Sequence, residues 1–318
     1  MYEHKYHLLI GDSGDITLSI ETARGEYVYV SHGHSDHAIK GKNKRGMITS
    51  PETAHLISVL APLVKLPGIS LIPSGHILGS TQLVADTVDG RLVYTGDLRL
   101  SDGILFKGAE VVETDILIIE STYGDPSISF PDVWSVYSDI QKWVKQNERY
   151  NILIGAYSLG KAQEVIRVLN EMDITPVVDK KTDFYCSVYE RFNIKLDRVV
   201  VGSEEAREVM RGPFVVVAPP KIVNKSTAVK MRYKFGRPTL TALTTGLGHY
   251  FKFKVHKVFP LSDHADFNQL IEYVEMSNPK VIYTHHGLSR RFALELQKRG
   301  FNAQVYSSLK SSQRLLSV

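Results

Sequence analysis

The chain has a single cysteine, Cys186, among 318 residues. That excludes an internal disulfide framework and leaves no thiolate cluster for a metal. Long apolar runs are missing too: Phe214 to Ala218 has the length of a strand, far short of a membrane span. No block of one charge sign or low-complexity tract marks a disordered region, and no repeat of fixed period is visible. The opening residues, Met1-Tyr2-Glu3-His4-Lys5, lack the apolar stretch of a secretory signal, so the expected location is cytoplasmic. Net charge is a mild +4, compatible with a nucleic-acid partner without requiring one. A hydrophobic content of 43% and a charged content of 23% describe an ordinary globular chain, long enough for two domains or one large one.

What stands out is histidine, with 12 in the chain. His32, His34, His37, His76, His264, His285 and His286 sit in short turn-like motifs beside Gly, Asp or Ser. The β-rich Tyr27 to Val30 runs straight into Ser31-His32-Gly33-His34-Ser35-Asp36-His37. A helix is expected over Ser50 to Leu66, opened by a cap and a first-turn proline. Ile69 to Ile72, Thr81 to Thr87, Arg91 to Thr95 and Ile116 to Ile119 read as strands. Beyond residue 125 strands and helices alternate: helix Asp132 to Lys145, strand Asn151 to Ile154, helix Lys161 to Met172, strand Asp197 to Val201, helix Glu204 to Met210 and strand Phe214 to Ala218. That alternation is the pattern of a parallel α/β module. From 239 the strand-then-histidine pattern returns, with Val255 to Pro260 leading to His264 and Val281 to Thr284 to His285, before a helix at Ser289 to Lys298 stopped by Gly300. The expected organisation is one domain made of residues 1–125 and 239–318, with residues 126–238 inserted in it.

His32-x-His34-x-Asp36-His37 packs four ligand-type side chains into six residues. Alternation along an extended chain lets His32 and His34 point at one metal, and the turn swings Asp36 and His37 toward a second. His76 lies in a glycine-rich turn between two strands. Asp97 ends the strand Arg91 to Thr95, where its two oxygens can bridge two cations. Cations roughly 3.5–4 Å apart would hold a water between them and lower its pKa.

This order of motifs resembles the metallo-β-lactamase superfamily, and the rest resembles its β-CASP nuclease branch. That branch includes ribonuclease J, Artemis, the endonuclease subunit of the cleavage and polyadenylation machinery, and small prokaryotic exonucleases of the ligase-associated or mRNA 3′-end-processing kind. Ile118 to Gly124, with Glu120, is similar to its motif A; Pro260 to Asp266, with His264, to motif B; and Thr284-His285-His286-Gly287 to motif C. Ile154 to Glu164 resembles the segment that opens the inserted domain. The compact length is closest to the small prokaryotic members.

The resemblance implies an α/β fold: a metallo-β-lactamase αββα sandwich with an inserted α/β β-CASP domain. It implies a zinc-dependent exonuclease or endonuclease of RNA processing or DNA repair, acting on single-stranded RNA or DNA. His32, His34 and His76 would hold one zinc and Asp36, His37 and His286 the other, with Asp97 bridging and manganese a tolerated substitute. His264, held by Glu120, would protonate the leaving oxygen; Asp36 counts as catalytic as well as a ligand. His285 is the alternative to His286. Glu21, Asp12 and Asp15 are the candidates for the acid that supports the metal-binding loop. A homodimer is compatible with the resemblance, and a membrane partner is not expected.

Ser158 and Lys161 are candidate phosphate contacts at a helix start, or simply part of a helix cap. Lys221, Lys225, Lys230, Arg232 and Lys234, interrupted by Tyr233 and Phe235, form a basic run. It reads either as a track for a nucleic-acid backbone or as a solvated charged face. Two other readings stand beside the nuclease: a small-molecule metallohydrolase of the lactonase or thioesterase kind, which shares the first motifs, and a non-catalytic nucleic-acid-binding homologue, against which the intact ligand set argues.

Overall fold

The computed structural model describes residues 6–10, 16–21, 26–38, 46–58, 62–248, 251–306 and 313–314. The chain divides into two compact units. Unit 1 comprises Met1–Asp102, Phe106–Ser129 and His264–Val318; unit 2 comprises Gly103–Leu105 and Phe130–Asp263.

Unit 1 opens with β1 (Tyr6–Ile10), β2 (Ile16–Ile20), β3 (Tyr27–Tyr29), β4 (Gly46–Ile48) and α1 (Pro51–Ile57). There follow β5 (Ile69–Pro73), β6 (Thr81–Thr87), β7 (Gly90–Tyr94) and β8 (Ile116–Glu120). Unit 2 contributes α2 (Val133–Gln146), β9 (Asn151–Gly155), α3 (Lys161–Asn170), β10 (Val177–Val178), α4 (Lys180–Arg191) and β11 (Val199–Val200). It continues with α5 (Glu204–Val209), β12 (Val215–Ala218), α6 (Lys225–Phe235), β13 (Thr239–Thr244) and β14 (Lys257–Phe259). The chain then returns to unit 1 as α7 (Phe267–Ser277), β15 (Val281–His285), α8 (Ser289–Lys298), β16 (Ala303–Val305) and β17 (Gln313–Arg314).

Unit 1 holds two mixed sheets, β17-β1-β2-β3-β4 and β16-β15-β8-β7-β6-β5. Side-chain alternation decides what each face meets. Leu18, Ile20, Tyr29 and Ile48 from the first sheet pack on Leu83, Leu92, Tyr94, Ile116 and Ile118 from the second. The alternate residues face outward. Val28, Val30 and Met47 meet Ile57 of α1, while Val93, Leu117 and Ile119 meet Phe267, Leu270 and Val274 of α7 and Phe292 and Leu296 of α8. The result is an αββα sandwich. The strand ends that matter for the site are those of β3, β7, β8 and β15, where apolar alternation gives way to His, Asp and Glu.

Unit 2 is built on one parallel sheet, β11-β10-β12-β9-β13-β14. Its central strand β9 is buried at every residue, as a strand covered on both faces requires. Here the boundary differs from the sequence expectation. β13 pairs with β9 and β14 with β13, so residues 239–263 belong to unit 2 rather than to unit 1. Ladder hydrogen bonds, not the neighbouring histidine motif, decide their membership.

The helix expected over Ser50 to Leu66 is also shorter, ending at Ile57 with Ser58 in the left-handed region as its cap. Pro62 cannot donate to a helix. Its carbonyl instead accepts from Met47 N, and Val64 N donates to Met47 O, drawing this segment alongside β4. The basic run from Lys225 onward forms α6, with Lys221 in a 3-10 turn before it, while α4 and α7 are helices that the pattern alone did not announce.

Candidate metal centre and acid–base pair

The turn after β3 closes on itself, with His37 N and Ala38 N both donating to His34 O. This places four imidazoles around one carboxylate. Oδ2 of Asp97 lies 3.3 Å from Nε2 of His32, 3.5 Å from Nε2 of His37 and 3.7 Å from Nε2 of His76. Nε2 of His76 lies 3.0 Å from Nδ1 of His34. Ligand atoms of His32, His34, His76 and Asp97 all fall within 4.8 Å of one another. The turn carrying His76 is pinned by Ser80 Oγ, which accepts from the backbone N–H groups of His76 and Ile77. Asp97 can come so close because Gly96 has φ +56 and no side chain: a Cβ there would sit 2.7 Å from Ser31 Cβ.

Glu21 sets the proton positions. Its carboxylate accepts from Ser31 Oγ, from Tyr94 Oη at 2.7 Å and from Nδ1 of His37 at 2.7 Å. A serine hydroxyl has one proton, and here Glu21 takes it. Nδ1 of His32, 2.9 Å from that hydroxyl, is then the donor in its own bond to Ser31 Oγ. Nε2 of His32 faces Oδ2 of Asp97 and is buried without hydrogen-bond geometry to any neighbour.

Ring nitrogens gathered around a buried carboxylate attract positive charge. Burial pushes the His37 imidazole down, but Glu21 and Asp97 outweigh it and carry its pKa to about 10. Burial pushes Asp97 up, yet His37, His264 and His32 hold it well below the carboxylate range. Glu21 is likewise raised by burial and lowered more by His37, His32 and Ser31, to about 2. A bound cation would meet the same electrostatic demand as the second proton on His37. The neutral-nitrogen and carboxylate donor set, with an orphaned Nε2 at its centre, fits zinc.

Beside this cluster stands a second pair. Glu120, at the end of β8, is fully buried. Its Oε1 accepts from Leu98 N at 2.8 Å and its Oε2 from Thr122 N at 3.2 Å. Nδ1 of His264 lies 3.0 Å from Oε1. Ala265 N donates to Leu98 O, and Asp266 caps α7 through Gln269 N, so the backbone after His264 is anchored on both sides. Asp97, Glu120 and His264 also bring one ligand-type atom each within 4.8 Å of one another. Asp97 thus belongs to both groups.

A family model described as the Zn-dependent metallo-hydrolase RNA specificity domain matches residues 251–306. The chain is 31% identical over 298 residues to a probable DNA ligase of Opitutus terrae, covering 86% of this chain and 28% of that protein. It is 22% identical over 275 residues to an RNase J-like protein of Methanocaldococcus jannaschii, covering 71% of this chain and 65% of that protein. The chain therefore spans less than two thirds of the length of either curated relative. The crystal structure of a protein of unknown function from Enterococcus faecalis V583 aligns over 92% of this chain and 79% of that one, with a TM-score of 0.56 at 16% identity. That likeness shows the fold. The chain belongs to the metallo-β-lactamase β-CASP family.

Within this β-CASP chain the remaining candidate residues take different positions. His286 follows β15 in the left-handed region, and its ring centroid lies 4.8 Å from that of His37. His285 points elsewhere: it is buried, stacks on Tyr94 at 4.9 Å, and is held well below the histidine range by burial and by His286. Asp36 sits at the rim, with its side chain 74% exposed and Oδ2 3.8 Å from Nε2 of His37. Of the three candidate supporting acids, Glu21 makes the contacts; Asp12 and Asp15 lie outside the described residues. In unit 2, Lys161 is buried and its Nζ pairs with Asp263 at 3.1 Å, while Ser158 is half-buried. An ammonium already paired is a poorer phosphate anchor than the sequence suggested.

Sequence reasoning missed Ser31 and Tyr94. Tyr94 carried a signal, since alternation from Leu92 aims it inward just before Gly96-Asp97. A cavity of about 740 Å³ in unit 1 holds none of the expected ligands. It is lined by Val64, Leu66, Ile69 and Leu71 and lies behind the turn that carries His76.

Proposed function

We propose that the protein is a nuclease hydrolysing phosphodiester bonds of RNA or DNA with two zinc ions. The observation that carries this reading is the double membership of Asp97, in the imidazole cluster and in the group with Glu120 and His264. His32, His34 and His76 would hold one ion, and His37, His286 and the rim residue Asp36 the other, with Asp97 between them. When bound, the ions supply an activated water and neutralise charge on the phosphoryl group.

The rest of the work falls to side chains. A phosphodiester releases an alkoxide, a strongly basic leaving group that needs a proton as the bond breaks. Glu120, fixed by two backbone N–H groups, holds Nδ1 of His264 and turns Nε2 away from itself. That nitrogen is the donor to the leaving oxygen. The cluster alone would serve a lactone or thioester; the buried carboxylate–imidazole pair is what favours a phosphodiester. The resemblance to a protein named RNase J-like supports the same substrate class.

The test is a time course on 5′-labelled and 3′-labelled RNA and DNA of one sequence, with zinc or manganese. Cleavage that is lost in Asp97→Ala and His264→Ala supports the proposal, and the product ladder reads substrate, polarity and mode. A metal-loaded wild-type protein that leaves all four substrates intact contradicts it.

A further inference from the structure

The proposed chemistry does not use the most basic part of the chain. Between Glu208 and Asp263 there is no aspartate or glutamate, while ten lysines and arginines fall in that stretch. The whole chain carries only +4, so everything outside the stretch is net negative.

All of this charge lies in unit 2, and two parts of it are neighbours. Met231 of α6 and Val255, two residues before β14, pack in one apolar cluster with Leu153, Ala218 and Val223. Both segments therefore border one apolar cluster of the sheet, and the lysines Lys252, Lys254 and Lys257 lie in the segment that carries Val255. α6 itself is poorly explained by folding. Ala228 is its only buried residue, and no acid occupies its first turn, where Lys225 opposes the helix dipole. Lys230 and Lys234 are like charges one turn apart. Among the described residues, no ion pair to a carboxylate is formed by Lys225, Lys230, Arg232, Lys234, Lys252 or Lys254. Two large rings stand in water among these cations: Tyr233 is 84% exposed and Phe251 59%.

A lipid surface asks for an exposed apolar helix face. α6 instead turns Ala228, Met231 and Phe235 inward and presents charge. Regular cations interleaved with stacking rings suit a polyanion that carries bases. We propose that α6 and residues 251–257 form a face of unit 2 that holds the backbone of single-stranded nucleic acid, with Tyr233 and Phe251 stacking on its bases. The choice of nucleic acid as the polyanion rests on the nuclease reading above.

The test uses the full-length protein in EDTA, so that binding is read without hydrolysis. Fluorescence anisotropy follows labelled oligouridylate and oligothymidylate across a salt series. The triple variant K230E/R232E/K234E is expected to bind more than roughly tenfold more weakly. Its salt slope shrinks by about two, at about 0.7 for each phosphate that is no longer neutralised. The neutral triple K230Q/R232Q/K234Q, a milder change on the same exposed face, shifts in the same direction. Tyr233→Ala weakens binding by roughly tenfold with an unchanged salt slope, the mark of missing stacking. The RNA and DNA arms show which backbone is preferred. Wild-type affinity in both triple variants overturns the proposal. So does binding to phosphatidylserine vesicles in place of either oligonucleotide. A protein that binds in this way but never cleaves contradicts the nuclease reading alone; one that cleaves while the triples bind normally contradicts this inference alone.

Discussion

Nδ1 of His264 lies 3.0 Å from Oε1 of Glu120, a carboxylate with no exposure to solvent. Leu98 N and Thr122 N hold the same carboxylate, so the plane of the imidazole is set from the strand end. His264→Ala is expected to lower single-turnover cleavage by roughly 10²–10⁴-fold, the range of a missing general acid. Glu120→Gln keeps the shape without the charge and should fall between that variant and wild type. Elemental analysis should find the wild-type zinc content in both; zinc loss from His264→Ala would mean that the residue holds metal instead.

Glu21 touches His37 directly and His32 through Ser31, and so fixes which nitrogen of each ring faces Asp97. Glu21→Gln is therefore expected to weaken zinc binding by roughly 10–100-fold, the usual effect of removing a group that orients a metal ligand. Competition against a chromogenic chelator measures it. An unchanged affinity would remove Glu21 from the metal centre.

Gly287 holds φ +47, and a Cβ there would lie 2.3 Å from Thr122 Cα, a backbone atom with little room to give. Gly287→Ala should cost about 2 kcal/mol or more of stability and displace His286 from beside His37. Urea unfolding and zinc titration together check this; a variant as stable as wild type would mean that the turn has another conformation.

Cys186 offers a test away from the site. Burial pushes its thiol from 9.0 up to about 11, against the opposing hydrogen bond from Gln163 Nε2. Between those values the unfolded chain loses the proton while the folded chain keeps it. Stability is thus fully present below pH 9 and falls as pH rises toward 11, by up to about 3 kcal/mol. The slope over this window should be shallower in Cys186→Ala, measured by urea unfolding at each pH. Identical slopes would place Cys186 in contact with water.

Local pattern reported much of this fold. α8 spans Ser289–Lys298 and β6 Thr81–Thr87 as expected, because a single periodicity and clear stop signals define each. α7 was hidden because its capping box, Asp266 with Gln269, overlaps the histidine motif. Strand β13 falls in the other unit from the one its position suggests, because membership of a sheet is decided by a partner, here β9, that lies far off in the chain. The site divides the same way. Spacing alone grouped His32, His34, Asp36 and His37. The glycine after His286 favoured it over His285 in the sequence; what no pattern reported is that its ring lies 4.8 Å from that of His37 while His285 stacks on Tyr94. Position favoured Glu21 among the candidate acids, but its contacts with Ser31, His37 and Tyr94 span two strands and a turn, which no local pattern contains.

The sharpest experiment sets one zinc-loaded preparation against both substrate classes in parallel: end-labelled oligonucleotides, and a panel of lactones and thioesters. The expected result is oligonucleotide cleavage that Asp97→Ala and His264→Ala abolish, with little turnover of the esters. Turnover of a lactone or thioester with intact oligonucleotides would contradict a phosphodiesterase site.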